Sequence, residues 1–179
     1  MDISYLDIYC LDMELPKGVE WAAHALVVLD VAGDRAVSSS GLARVFDLSP
    51  TYLNKHLQKL AAAGVVTSVA GAAGGFRLAR PAAEVSLGDV VAALGSAAPL
   101  FQCGEIRCQG AFADQKEQIL ASGLCSINRA MLRAEEVWRA SLAGTSIADL
   151  ASGLDDATRV RMLRAAGLGS TTESEGNPA

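Results

Sequence analysis

Aromatic residues make up only 5% of the 179-residue chain, and alanine fills much of their place, a composition that favours helices. No apolar run approaches the roughly 20 residues that a bilayer span requires. The longest, around Ala25 to Val31, is broken by Asp30 and followed by Asp34. No membrane span is expected. Positive charge is missing from the N-terminus, where Asp2, Asp7 and Asp12 stand in place of a secretory signal's basic start, so a cytoplasmic chain is expected. Cysteine is also sparse: there are four, and in a reducing compartment these are more often ligands or redox thiols than disulfides. The length suits about one domain and excludes a large multidomain enzyme. With 51% apolar and 20% charged residues the chain has the profile of a folded protein, not a disordered one.

A positive balance is lacking too, since the net charge is -5, which would argue against a nucleic-acid partner. The distribution overturns that argument. Between Ser38 and Pro81, Arg44, Lys55, Lys59, Arg77 and Arg80 stand against Asp47 alone, a local net charge of +4. One basic module sits in an acidic chain.

The periodicity of Val19, Ala22, Ala23, Leu26, Val27, Leu29 and Val31 predicts a helix with a broad buried face, ended by Gly33. Ser39 or Ser40 is expected to cap a short helix from Leu42 to Phe46. Ser49-Pro50 then reads as an N-cap and first helical position, opening a helix whose Leu53, Leu57 and Leu60 face inward. Thr51, Asn54, Lys55, Gln58 and Lys59 remain outside, and Gly64 closes the helix. Two helices joined by a tight turn, the second basic outside, read as helix-turn-helix. Val65–Val69 and Phe76–Arg80, joined by a glycine-rich link, form a hairpin, which completes a winged helix. Ser86 and Asp89 form a capping box for the next helix. Gly95 to Gly123 reads as irregular, and Ser126 to Leu142 as a long helix with spare apolar surface for dimerisation. A capped turn starts at Ser146, and the small polar end from Gly169 is expected to be disordered.

The expected fold class is therefore mainly α with a small β hairpin: a winged helix-turn-helix plus a long C-terminal dimerisation helix. The expected segments are an extension over 1–12 with Met13 as a possible native start, a DNA-binding domain over 13–95 and a loop over 96–125. The dimerisation helix and its following turn take 126–150, and a partly disordered end takes 151–179.

Three blocks carry a resemblance: Ser49-Pro50-Thr51-Tyr52-Leu53, Gly64-Val65-Val66-Thr67-Ser68-Val69 with Gly74-Gly75-Phe76, and Val85-Ser86-Leu87-Gly88-Asp89-Val90-Val91. The chain resembles the winged-helix bacterial regulators typified by IscR and NsrR, dimeric repressors that in many cases sense redox state or nitric oxide through an iron–sulfur cluster. Gly18 to His24, Phe101 to Arg107, and Cys125 with Arg129-Ala130-Met131 make it most similar to the RsrR type. The resemblance implies a double-stranded operator DNA partner, contacted through Ser40, Thr51, Tyr52, Asn54, Lys55, His56, Lys59 and Arg77. It also implies a 2Fe–2S cluster held by Glu20, His24, Cys103 and Cys125 and bridging the subunits of a homodimer. Two departures stand out: the usual three closely spaced cysteines are absent, 16 residues separating Cys108 from Cys125, and Ala70 replaces the wing arginine of many members.

Glu20 and His24, four apart, share one helix face at about 6 Å between Cβ atoms, close enough to serve one metal centre, although the spacing alone more often marks an ordinary surface pair. Cysteine thiolates are the usual cluster ligands, and a neutral imidazole raises the potential. Cys108 is open between ligand, resolving thiol and bystander; Cys10 is a bystander. Trp21 is a core aromatic or a signal relay, and His56 makes a phosphate contact or is buried. Rivals to the 2Fe–2S reading are a metal-free thiol–disulfide sensor and a 4Fe–4S cluster held by three cysteines and Glu20. A zinc hydrolase lacks any accompanying base or oxyanion motif, so no catalytic step is expected.

Overall fold

The computed structural model describes residues 17–71, 74–95 and 99–169. The proposed extension over 1–12, with Cys10 and Met13, lies outside the described residues, as does the tail from 170 on. At the centre is α1 (Lys17–Ala32), buried at Gly18, Val19, Ala22, Ala25–Leu29 and Ala32 and so enclosed over most of its circumference. An alanine- and valine-rich helix can be surrounded this closely because its small side chains let neighbouring backbones approach.

Helix α2 (Ser39–Val45) and helix α3 (Pro50–Ala62) pack on α1. Ser38, not Ser39 or Ser40, caps α2: its hydroxyl accepts from the Gly41 amide at 3.0 Å, because an N-cap must stay extended while the residues after it turn helical. Ser49 caps α3 as expected, with Pro50 at its start. Leu53, Leu57 and Leu60 are fully buried, each contributing about 1.5–3 kcal/mol of transfer free energy. Gly64, at φ +70°, reverses the chain where a side chain would be strained.

Strands β1 (Val66–Val69) and β2 (Gly75–Leu78) form the antiparallel wing in the register Val66 to Leu78 and Thr67 to Arg77. Val37 joins β2 through a reciprocal pair of backbone bonds with Phe76, anchoring the wing to the entry of α2. Next comes α4 (Leu87–Ala93), whose capping box between Ser86 and Asp89 is formed as expected. The stretch after Gly95 is less irregular than the sequence suggested. It holds short 3-10 turns over Ile106–Cys108 and Gly110–Gln115 and the helix α5 (Lys116–Ala121).

Helix α6 (Ser126–Ala143) is the long expected one; Trp138 and Leu142 pack on the core while Ile127, Leu132 and Val137 remain exposed. The capped turn at Ser146 opens α7 (Ile147–Ser152), which packs along α1. The segment beyond 150, in which the sequence suggested no element, holds one more helix. Asp155 caps a further helix, α8 (Asp156–Ala165), which returns to α1 and α2 and buries Ala166 beside Gly41. Met162 and Leu163 within it, with Leu154, Ala166 and Leu168 at its ends, mark its inner side, and its arginines masked it in the sequence.

Candidate nucleic-acid interface and cysteine loop

On α3, Thr51, Tyr52, Lys55 and Lys59 are exposed and Asn54 half-buried, so the recognition face carries the polar side chains the sequence placed there. Lys59 donates one hydrogen bond from Nζ to the Leu94 carbonyl at 3.4 Å, leaving two ammonium donors free for a phosphate. Ser40 is exposed on α2 and exchanges a hydrogen bond with Ser38. Arg77 projects from β2 into solvent, in register with Thr67. Arg80 belongs to the fold instead: its guanidinium reaches the Gly64 and Glu84 carbonyls and pairs with Asp89 at 3.0 Å.

His56 corrects the expectation of a phosphate contact. Both its ring nitrogens are buried without a hydrogen-bond partner, and the ring lies where any Cβ on Gly18 would stand. Burial, and then the Lys59 charge, hold its pKa below the ordinary histidine value, so the ring is a neutral packing element between α1 and α3. Its place beside Leu53 and Leu57 on the inner half of the helix was the available signal. Trp21 is half-buried against the core and meets Tyr52 edge-on at 5.1 Å; Tyr52 in turn meets His56 at 4.6 Å. Both readings of Trp21 thus have a contact behind them, for it is a packed aromatic that also touches the recognition helix.

Glu20 and His24 lie exposed on α1, with the His24 ring 5.0 Å from Phe46. Cys103, Cys108 and Cys125 are free, half-exposed thiols. Among the described residues no three His, Cys, Asp or Glu side chains converge on one metal position within a protomer. The α1 pair and the cysteines are therefore not brought together inside one chain.

The cysteine loop is organised by Glu105 and Arg107, two residues for which sequence reasoning found no role. Glu105 sits in the left-handed region at φ +46°, turning its carboxylate so that one oxygen accepts from Cys103 Sγ at 3.4 Å and the other from Arg107 at 2.7 Å. The same Arg107 nitrogen donates to the Gly123 carbonyl at 3.1 Å. Arg107 hydrogen bonding lowers the Glu105 pKa against an opposing burial effect, with Cys103 adding to the shift. The Glu105 bond likewise raises that of Arg107 against burial, helped by the charges of Glu105, Cys125 and Cys108. Cys125 is the N-cap of α6, its sulfur accepting from the Asn128 amide at 3.2 Å. The alternation of cysteine, glutamate and arginine at 103, 105, 107 and 108 was the only sequence signal for this cluster.

A helix-turn-helix with an anchored wing is the architecture of a DNA-binding regulator, and comparison with known proteins decides which kind. The profile of the Rrf2 family, described as iron-dependent transcriptional regulators, matches residues 15–153. The chain belongs to the Rrf2 family. This Rrf2 protein is 33% identical over 141 residues to protein aau3 of Rhizobium meliloti, covering 77% of this chain and 84% of that one. Its fold is similar to that of CymR, the global cysteine regulator of B. subtilis, at TM-score 0.58 and 24% identity, over 80% of this chain and 99% of that one. It is also similar to the fold of T. potens IscR, at TM-score 0.54 and 23% identity, over 82% and 92% of the two chains. The chain is thus a DNA-binding transcription regulator and not an enzyme. Helix α8 lies beyond the matched residues.

Proposed function

We propose that this Rrf2 regulator is a cytoplasmic homodimeric repressor of the RsrR type, whose grip on operator DNA is set by a 2Fe–2S cluster that responds to redox state or nitric oxide. The observation that carries the reading is the contact of Trp21: next to the exposed Glu20 in the chain and three residues before the exposed His24, it touches Tyr52 of the recognition helix. Any change in what Glu20 and His24 hold is one residue from a ring stack that ends inside α3. The donor set fits the group, with free thiols at Cys103 and Cys125 and an exposed carboxylate and imidazole on α1. Because these donors do not converge within one chain, they would meet across two copies, joined through the exposed apolar residues of α6.

When bound, the cluster would supply a charge that changes with its redox state. Glu20 and His24 would hold the start of α1, and Trp21 would pass its displacement to Tyr52 and so to Thr51, Asn54 and Lys55, a local event with a distant readout. Lys55, Lys59 and Arg77 bind phosphates, while Asn54 reads a base edge.

One observation favours a second reading. Cys103, Cys108 and Cys125 are free, half-exposed thiols on two segments that Arg107 joins through the Gly123 carbonyl, a setting that suits a metal-free thiol switch. Anaerobic purification with iron and sulfide counts and a visible spectrum separates the two. A brown protein with equal iron and sulfide supports the cluster, and a colourless one whose thiols oxidise supports the switch.

A further inference from the structure

The cysteine-bearing segments have little core to hold them. Between residues 99 and 125 no side chain is fully buried, and Ile106, Phe112, Leu120 and Leu124 are exposed. Segments without apolar burial are ordinarily free to move apart. Here Cys103 and Cys108 lie on one segment and Cys125 on the next, separated by α5. The Leu100 amide ties the start of the loop to Glu135 on α6 at 3.1 Å, and among the described residues the side chain that links the Cys103 segment to the turn before Cys125 is one guanidinium. Arg107 grips Glu105 through Nε at 3.1 Å and Nη2 at 2.7 Å, and the same Nη2 reaches across to the Gly123 carbonyl at 3.1 Å, two residues before Cys125. Glu105, held by this fork, receives the Cys103 thiol on its other oxygen.

We propose that Arg107 is the positioning residue of the sensor loop, fixing the Cys103 segment against the Cys125 turn so that the two thiols are presented together before any metal or oxidant arrives. The proposal rests on the cysteine loop being the sensor, in either of its two forms. A planar fork suits the role, because it makes two bonds to one carboxylate and keeps a direction for a third partner; an ammonium cannot do both. Residues that orient ligands without touching the metal typically matter by about 10- to 100-fold in its affinity.

The test uses the full-length, metal-free, reduced chain carrying Cys10→Ala and Cys108→Ala, so that only Cys103 and Cys125 react. Dibromobimane bridges two neighbouring thiols and otherwise alkylates one, and the ratio of bridged to singly alkylated product, divided by the single-thiol alkylation rates measured with monobromobimane, reports their proximity free of changes in thiol reactivity. Arg107→Gln is expected to lower that ratio about tenfold, in line with other ligand-orienting residues, with the helical melting curve unchanged. Arg107→Lys should recover part of the loss. Glu105→Gln, which spares the Gly123 bond, should fall between. Anaerobic reconstitution of the same variants on the four-cysteine chain should show iron and sulfide uptake falling in the same order. An unchanged bridging ratio in Arg107→Gln overturns the proposal, as does a collapse of the whole melting curve, which would make Arg107 a residue of the fold. If the unsubstituted chain takes up no iron or sulfide, the cluster reading fails, while the bridging ratio still judges Arg107.

Discussion

At the scale of single residues, Lys55 and Asn54 are one position apart on α3 yet differ in what they would cost to lose. Lys55→Ala removes one phosphate charge, so the slope of log affinity against log salt should flatten by about one unit for every DNA sequence. Asn54→Ala should instead lose roughly 1–3 kcal/mol on the operator and little on unrelated DNA. Fluorescence anisotropy across a salt series checks both; an unchanged slope in the lysine variant would remove α3 from the DNA. Gly18 makes a different kind of demand. An added Cβ would lie 2.6 Å from His56 Nε2 and 2.9 Å from Nδ1, so Gly18→Ala should cost about 1–3 kcal/mol in urea unfolding through overpacking. For the cluster ligands, Cys108→Ala is the separating variant: an unchanged visible spectrum supports Glu20, His24, Cys103 and Cys125, and loss of the cluster supports the three-cysteine alternative.

Among the elements, α4 shows most directly how a short helix is held. Seven residues are too few to form a stable helix alone, so its ends must be tied. Asp89 receives the Ser86 amide at 2.8 Å and the Ser86 hydroxyl and Arg80 at 3.0 Å each. Burial works to raise the Asp89 pKa, but the Ser86 hydrogen bonds and Arg80 together bring it below the ordinary 3.8. A carboxyl with a depressed folded-state pKa stabilises the fold above its unfolded value and loses that contribution as pH falls through the lower folded one. Asp89→Asn should therefore narrow the difference in melting temperature between neutral pH and the region below 3.8. Ser86→Ala should cost about 1 kcal/mol through the lost cap.

For the whole molecule, two surfaces decide assembly and integrity. If the exposed side of α6 joins two copies, Val137→Glu should yield monomers in sedimentation velocity and weaken operator binding, since half-sites are then no longer linked. At the other end, α8 is bound by more than its apolar side. Arg44 on α2 donates to the Ala165 carbonyl at 3.3 Å and Arg35, following α1, to the Leu168 carbonyl at 3.3 Å, placing positive charge at the helix's negative end. Ending the chain at Gly153 strips Met162, Leu163, Ala166 and Leu168 from the core's edge and should cost about 2–5 kcal/mol in thermal unfolding.

The order of elements through the wing, the stripe of Leu53, Leu57 and Leu60, and the Ser49 and Ser86 caps could be read from the sequence. Each follows from interactions between residues a few positions apart, which spacing alone reports. The basic module could be read for the same reason, although only the structure separates Arg80, spent on carbonyls and Asp89, from Arg77, which faces solvent. Tertiary structure alone decided the inward turn of His56, the return of α8 to α2, and the grip of Arg107 on Gly123. All three depend on groups at least 16 residues apart, and no periodicity encodes which distant backbone a side chain will meet. The four proposed ligands divide along the same line: Glu20 and His24 share a helix face that spacing predicts, whereas only the structure shows that they do not converge with Cys103 and Cys125 within one chain.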